Sequence, residues 1–134
     1  MAAELTVIAW SVVLLLVYIG AQGFLSTLNL GVAYNLSSRD GGHTPGLHAQ
    51  RARRAVQNLL ETYPAFVALA LALVIANKAG GIGAVGAWLW LIARAAYLPI
   101  YIIGIPVIRS LAWIVSLAGL LMMLARLVGL SPES

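Results

Sequence analysis

Arg51-Ala-Arg-Arg-Ala-Val-Gln-Asn-Leu-Leu-Glu61-Thr-Tyr-Pro64 sets charge inside a chain that is otherwise built to lie in lipid. At 100° per helical residue, Arg51, Arg54, Asn58 and Glu61 fall within a sector of about 80° and share one face, whereas Arg53 points elsewhere. Two guanidinium groups, an amide and a carboxylate on one face suit a small zwitterionic or anionic partner. Arginine grips a carboxylate bidentately, glutamate takes an ammonium, and asparagine does either. The competing reading is a positive-inside anchor with an ion pair buried in the bundle.

Outward from this segment, composition fixes the setting. Of 134 residues, 62% are hydrophobic and 9% charged, and the mean hydropathy is +0.96, which excludes an ordinary soluble domain. Four spans of roughly 20 residues with short loops use up the chain. The expected fold is therefore an all-α, integral membrane bundle of four transmembrane helices, a single domain over 1–134, with helices at about 5–34, 47–77, 83–103 and 106–128. The net charge is +4, but four of the eight basic residues lie between Arg39 and Arg54. A juxtamembrane cluster accounts for them better than nucleic acid does. With no cysteine, the chain has no disulfide framework, no thiolate metal site and no thiol nucleophile of its own.

The N-terminus has no basic n-region, and the apolar run from Leu5 to about Tyr34 outlasts a signal-peptide core, so the first helix reads as retained. Within it Tyr18, Gln22, Ser26 and Asn29 draw a narrow polar stripe that should face other helices. Residues 35–46 are a hydrated loop by composition, with Gly-Gly and Pro-Gly as turn signals. Asp40, His43 and His48 lack the fixed spacing of a metal site or a hydrolase triad, and no metal is expected. The second helix is about 46 Å long, more than a hydrocarbon core of about 30 Å, so its first turns project into the headgroups. Glu61, about 15 Å beyond Arg51, should then be paired or hydrogen-bonded, since a bare charge at depth costs about 3 kcal/mol. Pro64 has no N–H for Leu60 and is expected to bend the helix just past Glu61.

Trp88 and Trp90 are expected to mark the opposite interface. Arg94, Tyr97 and Tyr101 lie within about 60° of arc and form a second polar face. Gly104-Ile-Pro106 closes the third helix and puts Arg109 in the first turn of the fourth, on the side of Arg51. Arg39, Arg51, Arg53, Arg54 and Arg109 then gather at one surface, with Lys78 and Arg126 near the other. By the positive-inside rule the first and third loops are cytoplasmic and both termini lie outside.

The run Arg51-x-x-Arg54-Ala-x-x-Asn58-x-x-Glu61-x-x-Pro64, followed by Ala-Arg94-x-x-Tyr97-x-x-x-Tyr101 and Arg109-Ser110, resembles the MAPEG family, the membrane-associated proteins in eicosanoid and glutathione metabolism. The resemblance covers nearly the whole chain and points to a bacterial-type member in the inner membrane. It implies a homotrimer of four-helix bundles that binds glutathione at subunit interfaces near the cytoplasmic side and uses it as a transferase, peroxidase or isomerase cofactor. Carried over by position, Arg54, Asn58 and Glu61 on helix two and Tyr97 and Tyr101 on helix three match glutathione contacts. Arg109 matches the arginine that stabilises the thiolate. Gln57 departs from the pattern, standing where some members have another arginine.

The implied chemistry agrees with the residues. A chain without cysteine does thiol chemistry only with a borrowed thiol, and a thiol of pKa about 8.5 is mostly protonated at neutral pH until a nearby cation lowers that value. Arg109 and Tyr97 are the expected catalytic groups, and Arg51, Arg54, Asn58, Glu61, Tyr97 and Tyr101 the expected glutathione contacts. The expected partners are a second and third copy of the chain, the lipid bilayer and a lipophilic small-molecule electrophile. Two other classes remain: a non-catalytic lipid- or metabolite-binding scaffold of the same fold, and a small transporter, which the lack of paired broken helices disfavours. The orientation is testable in intact cells. Ser38→Cys should be shielded from an impermeant thiol reagent and Ser134→Cys labelled; the reverse pattern would put the arginine-rich end outside.

Overall fold

The computed structural model describes residues 1–30 and 47–129. Four helices account for nearly all of them: α1 (Ala3–Leu30), α2 (Leu47–Ile75), α3 (Gly81–Ile103) and α4 (Pro106–Val128). Each is long and apolar enough to cross a membrane. Arg39, Asp40, His43, the loop over 35–46 and the tail from residue 130 lie outside the described residues, as does the expected end of the first helix near Tyr34. The remaining boundaries fall within two residues of the expected ones.

Local chemistry sets the ends. Gly104 stops α3 in the left-handed region at φ 88°, donating its N–H to Ile100 O, and Pro106 opens α4 two residues later. The fixed φ of proline suits a first helical turn, and only glycine adopts the left-handed cap without strain. Pro64 and Pro99 lie inside continuous helices and end neither.

The helices α3 and α4 pack closest, because glycines face each other at their crossing. A Cβ on Gly86 would sit 2.5 Å from Gly119 O, and a Cβ on Gly119 2.5 Å from Gly86 O. Lipid offers no hydrophobic drive for helix association, so such close backbone contact is what holds the pair. Among the described residues α1 packs against α2 and α3 but not α4. The core runs along α2 through Leu59, Phe66 and Leu73 and meets Trp90 and Leu98 of α3 and Met123 of α4. Trp88 is exposed. Trp90 corrects the expectation: it is fully buried, stacked on Phe66 with ring centroids 4.0 Å apart, and belongs to the core.

At the end of the bundle away from Arg51, three charged residues pin the helix termini. Glu4, fully buried, accepts the Gly80 N–H at the start of α3 at 2.9 Å. Lys78 donates to Leu127 O at the end of α4, and Arg126 donates to Lys78 O, both at 3.0 Å. Glu4 and Lys78 each carry the charge that the helix dipole they touch favours. Gly119→Val should lower the midpoint of detergent unfolding by an amount equivalent to about 3 kcal/mol, since the new side chain meets backbone that cannot yield; an unchanged midpoint would show that the α3–α4 crossing is loose.

Candidate functional site

Near the other end of the bundle lies a cavity of about 350 Å³ lined by Asn58, Tyr97, Arg109, Ser110, Trp113 and Ile114. Three helices build it. Asn58 comes from α2, Tyr97 from α3, and Arg109 with its neighbours from the first turns of α4, where the Arg109 N–H already bonds Ile105 O at 3.0 Å. A second groove of about 460 Å³, between α1 and α3, is lined only by apolar side chains including Trp10, Val13, Trp88 and Ala95. It has nothing to hold a charged ligand, so the first cavity is the candidate site.

Behind the cavity wall, cations and rings alternate. The Arg94 guanidinium carbon lies 5.0 Å from the Tyr97 ring centroid, Tyr97 and Tyr101 stand 5.5 Å apart, and the Arg109 guanidinium carbon lies 4.8 Å from the Tyr101 ring. Each cation sits over a π-face, an attraction of about 0.5–2 kcal/mol. Arg109 is half-buried in the first turn of α4, where the helix dipole is itself positive. That placement is unfavourable until an anion arrives. Arg94 is fully buried. It donates from Nη1 to Asn58 Oδ1 at 2.7 Å and from Nη2 to Thr62 Oγ1 at 3.0 Å, and Tyr18 of α1 donates to the Arg94 carbonyl at 2.5 Å.

The expected site residues divide. Asn58, Tyr97 and Arg109 meet at the cavity, and Tyr101 supports Arg109 through its ring face. Arg54 and Glu61 are exposed on the outer face of α2 and do not line the cavity within one chain. Glu61 departs from the expectation of a partner in the bundle. It has no hydrogen bond or ion pair among the described residues and lies only within electrostatic range of Arg94 and Tyr97. Arg51 is engaged elsewhere, its Nη1 donating to Ile102 O at 3.2 Å and Ile103 O at 3.1 Å, which satisfies the orphan carbonyls that end α3. Its guanidinium fills the space beside Gly104 that a Cβ would occupy. Trp113 and Ile114 do not stand out in the sequence as site residues, and Ser110 enters there only within the Arg109-Ser110 motif. They follow Arg109 at helical spacings of one, four and five, the signal that could have found them.

A model of the family described as "MAPEG family" matches residues 5–129. The chain belongs to the MAPEG family. No curated protein and no solved structure matches it. MAPEG membership accords with the four-helix membrane bundle and places the chain among proteins with glutathione-related transferase, peroxidase or related roles. The contacts of Arg51 make a prediction. Arg51→Ala should destabilise this MAPEG chain by about 1 kcal/mol in detergent unfolding, as the part-buried and exposed carbonyls that end α3 lose a charged donor. An unchanged unfolding midpoint would show that Arg51 does not hold the end of α3.

Proposed function

We propose that the chain is a membrane-embedded glutathione-dependent transferase or peroxidase acting on a lipophilic electrophile. The observation that carries this reading is the convergence of Asn58, Tyr97 and Arg109 from three helices on one cavity. The donor set fits the tripeptide: Arg109 and the Asn58 amide offer N–H groups, and the Ser110 and Tyr97 hydroxyls donate or accept. When bound, glutathione supplies the thiol that attacks the electrophile. Arg109, reinforced by the positive end of α4, favours the ionised form of a sulfur placed beside it. Tyr101 holds the guanidinium in position through its ring face, and Trp113 and Ile114 give the cavity an apolar side turned toward the bilayer.

The same reading includes a homotrimer with the site at its subunit interfaces. Supporting it is the outer face of α2, where Arg54, Gln57 and Glu61 are all exposed. Glu61 stands well inside the span, where a carboxylate against lipid is costly. Packing this face on a second copy removes the cost and brings Arg54 and Glu61 to a bound ligand's charged ends. With the arginine-rich end in the cytoplasm, the site opens to the compartment that supplies the thiol.

The test separates chemistry from binding. Arg109→Ala should abolish conjugation of a generic electrophile while glutathione still binds by calorimetry. The thiolate absorbance of bound glutathione, titrated with pH, should show ionisation below its solution value in the parent protein and no such depression in the variant. A parent protein that binds glutathione with an undepressed thiol would point instead to a binding scaffold.

A further inference from the structure

The Arg94 guanidinium has only N–H groups to offer, so the Asn58 atom at 2.7 Å is necessarily the carbonyl oxygen, whichever way the amide is drawn. The Asn58 NH2 group is then left over. It makes no hydrogen bond among the described residues, and Asn58 is part of the cavity lining. Arg94 itself is fully buried and forms no ion pair among the described residues. Its other contacts are Thr62 Oγ1, which holds it against α2, and the Tyr97 ring on its own helix, while its buried Nε has no partner among the described residues.

We infer that Arg94 is a positioning residue that locks Asn58 as a hydrogen-bond donor, so the α2 wall of the cavity selects an acceptor, a carboxylate or carbonyl oxygen, and rejects an ammonium. As a statement about glutathione this rests on the proposed function; as a statement about the wall it does not. With Asn58 donating beside Arg109, the cavity within one chain presents donors to the anionic parts of a ligand. A ligand ammonium must find its acceptor elsewhere, and the exposed carboxylate of Glu61, one helical turn along α2, is the group of suitable charge.

The experiment uses the purified full chain in micelles and has two arms. In the first, the Asn58 side-chain amide is followed by nitrogen-15 NMR without ligand. The NH2 should exchange rapidly with water, since it faces the cavity and only the oxygen is held. A protected NH2 would overturn the inference whether or not glutathione binds. In the second, glutathione affinity is measured for Asn58→Asp, which keeps an acceptor for Arg94 and preserves the fold but replaces the donor with a negative charge. Affinity should fall at least tenfold, the loss expected when a charge-assisted bond is removed; unchanged or tighter binding would mean that an ammonium sits there and would sink the idea. Arg94→Lys, which retains a donor for Asn58, should keep most of the affinity, and Arg94→Met should lose it with the same sign as Asn58→Asp. If the parent protein binds no glutathione, the functional reading fails and the amide exchange still decides the orientation.

Discussion

A guanidinium buried at depth in a membrane bundle needs partners, and Asn58, Thr62 and the Tyr97 ring supply them for Arg94, whose Nε alone is left without a hydrogen bond among the described residues. Placing an arginine within a span costs about 3 kcal/mol on insertion scales. Two bonds from a charged donor, each worth about 1.5–3 kcal/mol, together with the Tyr97 ring, offset that cost. The partners are spaced by one helical turn on α2, Asn58 and Thr62. Only one register of α2 against α3 meets both. That register also sends Leu59 and Phe66 into the core, the latter onto Trp90. Tyr18 closes the arrangement from α1 by donating to the Arg94 carbonyl, so one residue ties three helices together.

Charge at the helix ends follows a consistent pattern with one departure. Glu4 meets the start of α3, Lys78 the end of α4 and Arg51 the end of α3, each opposite in sign to the terminus it contacts. Arg109 is placed against the rule, a cation in the first turn of α4. The mismatch is worth only about 0.3–1 kcal/mol at an exposed site, small enough to tolerate and of the sign that draws an anion. The other three charges are occupied with helix ends; this one is left facing the cavity.

Much of this was legible in the sequence because helical geometry is regular. Steps of three and four placed Asn58 on one face and Arg94, Tyr97 and Tyr101 on another, and the polar stripe through Tyr18 and Ser26 is buried as expected. What could not be read was how those faces meet. Asn58 and Glu61 lie one turn apart, yet one enters the cavity and the other is exposed, a difference set by the angle of α2 against its neighbours. Arg51 belongs by periodicity to the ligand face, but its long side chain reaches the end of α3 instead. Trp90 misled for a similar reason: its spacing from Trp88 suggested an interfacial pair, whereas two residues along a helix point about 200° apart, so one faces outward while the other enters the core.

On the proposed function, the position of the cavity along the bundle suits the phases its reactants would occupy. A tripeptide with two carboxylates and an ammonium cannot reach the centre of a bilayer, and an apolar electrophile is scarce in water. A site serving both has to lie near one end of the helices and open sideways. The lining offers both chemistries: Asn58 and Arg109 present donors, while Trp113 and Ile114, both exposed on α4, are apolar. Since α1 makes no contact with α4 among the described residues, it does not close the side they occupy. The opening is therefore a consequence of the packing order, with α3 and α4 held together by their glycine crossing and α1 committed to the far side of the bundle.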